Sequence, residues 1–239
     1  MADFRLNPAL DVDALAAAYA RDGLVQIPEV FAPETAALIA DELELRTPWR
    51  FVISGEGGKP AMLSKAQMAT APREMVQEAV RDNQRLAAEG FAFTYLNYPM
   101  DAPKDPAAGV SDLIHDFAAW LTGDTFRRFG ARLTGLAAID SVDSKATLYR
   151  PGDFLTMHDD TGPERRAAYT LGFSRVWRAD WGGQLLMHGP GGDIERGFTP
   201  RFNTMNLFRT PRWHSVAQVA TYAAAPRLSV VGWLKTRGG

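Results

Sequence analysis

The apolar positions of the first hundred residues recur mostly at helical spacing. Val12, Leu15, Ala16 and Tyr19 share one face, which predicts a helix over Asp11–Asp22 that Gly23 ends. Leu24–Ile27 is short and apolar and reads as a strand. Pro33 suits the first turn of a second helix reaching to about Leu45, with Leu38, Ile39 and Leu43 as its core residues. Phe51–Ile53 reads as extended and Ser54–Pro60 as a glycine-rich loop. Arg73–Glu89 reads as a polar-faced helix closed by Gly90, and Phe91–Tyr98 as an aromatic, alternating strand. A Pro/Asp/Ala loop at Asp101–Gly109 precedes two further helices, about Ser111–Leu121 and Asp124–Leu133.

From Ser141 the period changes. Short alternating runs separated by turn residues predict strands at Lys145–Tyr149, Phe154–His158, Ala168–Phe173, Gln184–His188, Phe202–Phe208, Trp213–Gln218 and Leu228–Trp233. Strands at this spacing suggest a sandwich or barrel. The expectation is an α+β protein, mainly β, whose N-terminal helices pack on one sheet.

Composition narrows the chemistry. The chain has 239 residues, 46% hydrophobic and 23% charged, an ordinary globular balance. A net charge of -2 leaves no electrostatic footprint for nucleic acid or an anionic membrane. There is no cysteine, so disulfides, thiolate metal sites and cysteine nucleophiles are excluded. Met1–Leu15 carries Asp3, Asp11 and Asp13 without a basic start and apolar run, so no signal peptide is expected. No apolar run reaches the roughly 18 residues of a membrane span. A soluble, cytoplasmic protein is the expectation.

The candidate chemistry lies in Tyr149-Arg-Pro-Gly-Asp-Phe-Leu-Thr-Met-His158-Asp159-Asp160. Residues i and i+2 of a strand point to one side, so His158 and Asp160 could present an imidazole and a carboxylate to one point. A second histidine would complete a two-His-one-carboxylate face for iron. His-x-Asp is short enough to recur by chance, and taken alone it reads better as a strand end followed by a solvated Asp pair. His214, in Pro211-Arg-Trp-His-Ser-Val, supplies the second imidazole. Thirteen residues on, alternation in Arg227-Leu-Ser-Val-Val puts Arg227, Ser229 and Val231 on one face of a strand. An inward Arg needs an anionic partner, and a dicarboxylate cosubstrate would provide one.

With these residues in view, the segments Tyr149–Asp160, Arg165–Gly189, Phe202–Phe208, Pro211–Val216 and Arg227–Trp233 resemble the 2-oxoglutarate/Fe(II) oxygenases. They are similar to the prolyl-hydroxylase-like branch, in particular to the catalytic domain of ribosomal prolyl hydroxylases and its free-standing bacterial relatives. The resemblance implies a double-stranded β-helix (jelly roll) core at 141–239, supported by 1–140, in a single oxygenase domain of 1–239. It implies Fe(II) on His158, Asp160 and His214. It implies 2-oxoglutarate on Arg227, with Ser229 and Tyr149 as further cosubstrate residues, and dioxygen as the oxidant, with ascorbate as an additional candidate. Tyr149 reads equally as a core aromatic. The implied reaction hydroxylates a peptidyl residue, prolyl first, with decarboxylation of 2-oxoglutarate to succinate. A small-molecule substrate and a non-catalytic metal-binding jelly roll are the alternatives.

Three features are left open. Trp181-Gly-Gly is expected to shape the pocket mouth. The long run between His214 and Arg227, with Tyr222-Ala-Ala-Ala, leaves the register of the Arg227 strand undetermined. Ser54–Pro60 reads as a flexible loop or as a flap over the site. His188 is a rival ligand better read as a turn residue, His115 a helix residue without a ligand partner, and Asp159 a residue facing away from Asp160.

Overall fold

The computed structural model describes residues 2–55, 60–101 and 111–237. Six helices are found among them: α1 (Val12–Asp22), α2 (Pro33–Leu45), α3 (Lys65–Thr70), α4 (Arg73–Glu89), α5 (Asp112–Thr122) and α6 (Asp124–Thr134). The first-half strands are β1 (Leu24–Pro28), β2 (Arg50–Ser54), β3 (Pro60–Leu63) and β4 (Phe93–Pro99). The later strands are β5 (Ser141–Val142), β6 (Lys145–Tyr149), β7 (Phe154–His158), β8 (Arg165–Gly172), β9 (Leu185–His188), β10 (Ile194–Phe198), β11 (Thr204–Arg209), β12 (His214–Val216) and β13 (Arg227–Lys235).

The strands are antiparallel and run in the order β1-β11-β8-β13-β6-β4-β7-β12-β9-β10. Two four-stranded halves stand out, β11-β8-β13-β6 and β7-β12-β9-β10. Strand β4 joins them, pairing β6 through Leu96–Pro99 and β7 through Phe93 and Thr94. This is the jelly-roll arrangement.

The expected buttress is present, and strand alternation shows why. On β13, Leu228, Val230 and Leu234 pack with Tyr19 of α1, Ile39 and Leu43 of α2, Phe117 of α5 and Phe126 of α6 in one buried cluster. Full burial of each such side chain stabilises by about 1.5–3 kcal/mol. The other face of β13 turns Arg227, Val231 and Trp233 toward a cavity between the two halves. Gly232 lets the Asp143 carbonyl approach where a Cβ would lie 1.8 Å from it, and Tyr169 Oη donates to that same oxygen at 2.8 Å.

Several elements were not expected. Strands β3 and β10 carry little hydrophobic alternation, and β10 is exposed along most of its length. Both are edge strands specified by a hairpin partner, β2 for β3 and β9 for β10. Helix α3 is six residues long and rests on a Ser64/Gln67 capping box. Helix α4 lies apart from the main core. Its one buried residue, Asn83, donates to the Ser54 and Phe93 carbonyls and ties the helix to β2 and β4. Of the Ser54–Pro60 loop, positions 56–59 lie outside the described residues, as does most of Asp101–Gly109.

Candidate metal centre and the cavity around it

Strands β7 and β12 pair so that His158 and His214 are direct cross-strand partners. Their rings lie 4.1 Å apart. Nδ1 of His158 faces the Thr156 carbonyl at 3.0 Å, and Nδ1 of His214 faces the Arg212 carbonyl at 2.7 Å. A carbonyl only accepts, so in each neutral ring the proton belongs on Nδ1 and the Nε2 lone pair is free. Both Nε2 atoms face Asp160, at 3.7 Å for His158 and 3.4 Å for His214. The three ligand atoms lie within 4.8 Å of one another, the one such group of three or more potential ligands among the described residues.

Asp160 reaches this point by a route that strand geometry did not anticipate. Strand β7 ends at His158, and Asp160 follows with φ +59, in the left-handed region. The i, i+2 pleat therefore does not align the pair. A turn swings the carboxylate back toward the imidazoles, and Asp is one of the few residues other than Gly that enter this region readily. Asp159 turns away as expected and accepts from the Thr161 N–H at 3.0 Å and hydroxyl at 2.8 Å.

The protonation states suit a divalent metal. Burial, with His214 alongside, pushes the His158 imidazole down to about 4, so it is neutral at neutral pH. Burial pushes the Asp160 carboxyl up, but His214, His158 and the Trp233 indole outweigh it and hold the group ionised. The indole N–H does this without a hydrogen bond of ordinary geometry. Arg165 stands 3.7 Å from Asp160 Oδ1, with its guanidinium 3.8 Å above the Trp233 ring. Two imidazoles and one carboxylate on a single face are the donor set for non-haem Fe(II).

Arg227 occupies the same cavity, which holds about 370 Å³ and is lined from both halves of the jelly roll. The residue is 4% exposed. Its register, open at the level of sequence, is Arg227 opposite Tyr149 and Ser229 opposite Thr147. One guanidinium N–H donates to Ser229 Oγ at 2.9 Å, and the group sits 5.1 Å over the Tyr149 ring. Its Nε has no partner, and no carboxylate among the described residues pairs with it. Burial pushes its pKa down, since a buried guanidinium without an anion is poorly solvated. Tyr149 stacks on Tyr95 at 5.0 Å. Burial and the neighbouring Tyr95 raise its phenol, which keeps the hydroxyl protonated as a donor.

The remaining candidates separate cleanly. His188 Nε2 meets Ser215 Oγ at 2.8 Å, outside the metal cluster. His115 is held by Tyr98 Oη and the Met100 carbonyl, both at 3.1 Å. Trp181 does not line the cavity. It packs edge-on against Trp177 at 5.5 Å. Its two glycines matter instead. A Cβ on Gly183 would lie 2.9 Å from the Trp177 ring and 3.3 Å from Arg227 Cδ, so this turn backs the arginine. The long run before Arg227 is anchored by Val219 N–H to the Asp153 carbonyl at 3.0 Å and Tyr222 Oη to the Asp180 carbonyl at 2.8 Å.

Sequence reading passed over Thr147, Lys145 and Asn97, all of which line the cavity. Period-two alternation from Tyr149 would have found the first two, since 145, 147 and 149 share a face.

The 2OG-Fe(II) oxygenase superfamily profile matches residues 144–235. This segment contains all three candidate ligands and Arg227. Residues 144–235 are a 2OG-Fe(II) oxygenase domain. Such a domain implies Fe(II), 2-oxoglutarate and dioxygen.

Two curated relatives align with this chain. Prolyl 3-hydroxylase OGFOD1 of Xenopus laevis is 30% identical over 117 residues, covering 46% of this chain and 23% of the relative. Prolyl 3-hydroxylase sudestada1 of Drosophila melanogaster is 26% identical over 187 residues, covering 73% and 33%. The chain thus spans about a quarter to a third of these relatives. The fold matches a 2OG-Fe(II) oxygenase family oxidoreductase of Burkholderia pseudomallei, with TM-score 0.61 and 18% identity over 100% of this chain and 98% of the other. It also matches a Pseudomonas putida prolyl-4-hydroxylase, with TM-score 0.55 and 19% identity over 99% and 100%. No helix among the described residues is long and apolar enough to cross a membrane.

Proposed function

We propose that this protein is a 2-oxoglutarate-dependent dioxygenase that hydroxylates a peptidyl residue, with proline first among the candidates. The observation that carries the reading is the buried, unpaired Arg227 in the same cavity as a ligand-ready His158–Asp160–His214 face. A metal-binding module without catalysis would have no use for a buried cation lacking an anion.

His158 and His214 would hold iron through Nε2, and Asp160 through its carboxylate. Arg227 would take the distal carboxylate of 2-oxoglutarate, a charge-assisted contact in a dry site. Tyr149 would supply a phenolic donor beside it. Arg165, stacked on Trp233, steadies Asp160. Iron with 2-oxoglutarate, when bound, supplies the oxidising power: dioxygen puts one oxygen atom into the substrate C–H bond and the other into succinate, with loss of carbon dioxide. The chain's own part is to bind, orient and exclude water. In this reading 1–239 act as one unit, with 1–140 supporting and 141–239 carrying the chemistry.

A peptidyl substrate is favoured by the rim. Phe91, 49% exposed, and Met62, 43% exposed, both border the cavity, and the Phe91 ring is 5.4 Å from that of His158. Exposed apolar side chains at a site mouth suit a macromolecular partner. The prolyl hydroxylase names of the curated relatives point the same way.

The test is an anaerobic titration with Fe(II) and 2-oxoglutarate, followed by succinate release and a search for peptides gaining one oxygen. A visible charge-transfer band and peptide hydroxylation are expected. Absence of metal-dependent 2-oxoglutarate binding would overturn the class. Binding with hydroxylation confined to free amino acids would overturn the substrate.

A further inference from the structure

Ser229 was expected to share the distal carboxylate with Arg227, yet it does not line the central cavity. Its cross-strand partner Thr147 does line that cavity, as do the hydroxyl residues Tyr95, Tyr149, Tyr169 and Thr170. Ser229 lines instead a minute void of about 10 Å³ behind Arg227. Thr147 is 2% exposed and Ser229 1%. Their hydroxyl oxygens are 2.9 Å apart, and Thr147 Oγ1 also lies 3.3 Å from the Ser229 carbonyl.

The pair has one hydroxyl proton to spare. Ser229 Oγ accepts from Arg227. Two hydroxyls carry two protons, and one proton serves the bond between them. The second has only the long contact to the Ser229 carbonyl, whose oxygen already lies among the backbone ladder partners of β13. A third polar group completes the row. Asn97 of β4 sits opposite Thr147, is 8% exposed, lines the cavity, and has a side-chain oxygen without a partner. The Asn97 oxygen can only accept and so calls for a donor, whereas the spare hydroxyl proton beside a guanidinium without an anion marks a site built for a carboxylate.

We propose that Thr147, rather than Ser229, donates the hydroxyl hydrogen bond to the distal carboxylate of the 2-oxo acid, and that Ser229 is a positioning residue holding Arg227 and Thr147 in register. This rests on the reading of the cavity as a 2-oxoglutarate site. The carboxylate accepts from Arg227 on one side and from the Thr147 hydroxyl on the other, while Ser229 Oγ–H turns to Thr147 Oγ1. The second hydroxyl proton then has an acceptor of full charge in place of a long neutral contact.

Thr147→Val removes the hydroxyl and keeps the branched shape that a strand prefers. Calorimetric titration of the Mn(II)-loaded protein with 2-oxoglutarate reads the effect without turnover. Hydrogen bonds to charged groups predict about tenfold weaker binding or more for Thr147→Val. Near-wild-type binding is expected for Thr147→Ser, with Mn(II) affinity unchanged in both. Ser229→Ala should weaken binding less than Thr147→Val. Thr147→Ala, held to the same criterion, serves if the valine variant does not fold. Wild-type affinity in a folded Thr147→Val or Thr147→Ala protein would overturn the proposal, as would a larger loss at Ser229. Failure of the wild type itself to bind 2-oxoglutarate with Mn(II) would instead remove the reading on which the proposal rests.

Discussion

His158 and His214 face each other across the β7–β12 ladder, with their rings 4.1 Å apart and each Nδ1 turned to a backbone carbonyl of its own strand region. The two lone pairs are thereby aimed by backbone geometry before any metal arrives. That pre-orientation reduces the rotamer entropy lost on binding.

Replacing His158, Asp160 or His214 by Ala should abolish stable Fe(II) binding and lower turnover by at least about two orders of magnitude, because an open face of three ligands has none to spare. Metal analysis after desalting, alongside circular dichroism to establish folding, checks it. Asp159→Ala should leave metal content near wild type, since its carboxylate is engaged with Thr161. A large loss at Asp159 would mean that the ligand assignment is displaced by one residue.

Arg227→Met should separate binding from stability. Removing a buried unpaired cation in favour of an apolar side chain of similar length is expected to leave the ligand-free protein as stable or more so, by up to a few kcal/mol. The same change should weaken 2-oxoglutarate binding about a hundredfold. Thermal unfolding with and without 2-oxoglutarate and metal reads both effects. A sharp loss of stability would show that the guanidinium is compensated within the protein beyond its bond to Ser229 and its stacking on Tyr149.

Acid should destabilise the metal-free protein earlier than its carboxylates alone predict. His158 falls from the ordinary imidazole value of 6.5 to about 4 in the folded state. Between these values the unfolded chain binds more protons, so stability drops as pH falls and is fully present above about 6.5. The full contribution is about 3 kcal/mol. Asp160, also held below its ordinary value, acts with the same sign at lower pH. Urea unfolding at pH 7 and pH 5 should show the difference, and His158→Phe should shrink it.

Gly182→Ala should cost stability and cosubstrate affinity together. Gly182 has φ +72, and a Cβ there would lie 2.0 Å from the Gln218 carbonyl. The strain and the clash should cost about 2 kcal/mol or more and shift the turn that backs Arg227. Comparing the melting temperature and the 2-oxoglutarate dissociation constant of the variant with those of wild type tests the coupling. A stable variant with unchanged affinity would show that the turn is dispensable.

The sequence by itself determined the elements with strong periodicity and the chemistry of single positions. The helical stripes of α1, α2, α5 and α6 and the alternation of β6, β7 and β13 were legible because burial on one face imposes the period. His158, His214 and Arg227 stood out as candidates only together, since His-x-Asp alone recurs by chance and gains weight from a second imidazole and an inward guanidinium in an apolar strand. Edge strands β3 and β10 were not legible, since half-exposed strands owe their form to a partner rather than to their own pattern. The tertiary structure alone decided how Asp160 joins the imidazoles, through a left-handed turn rather than a pleat, because backbone dihedrals after a strand end leave no hydrophobic trace. It alone decided the register that sets Arg227 against Tyr149 and Ser229 against Thr147. Register depends on pairing between strands far apart in the chain, and it brings the cavity-lining Thr147 beside Ser229.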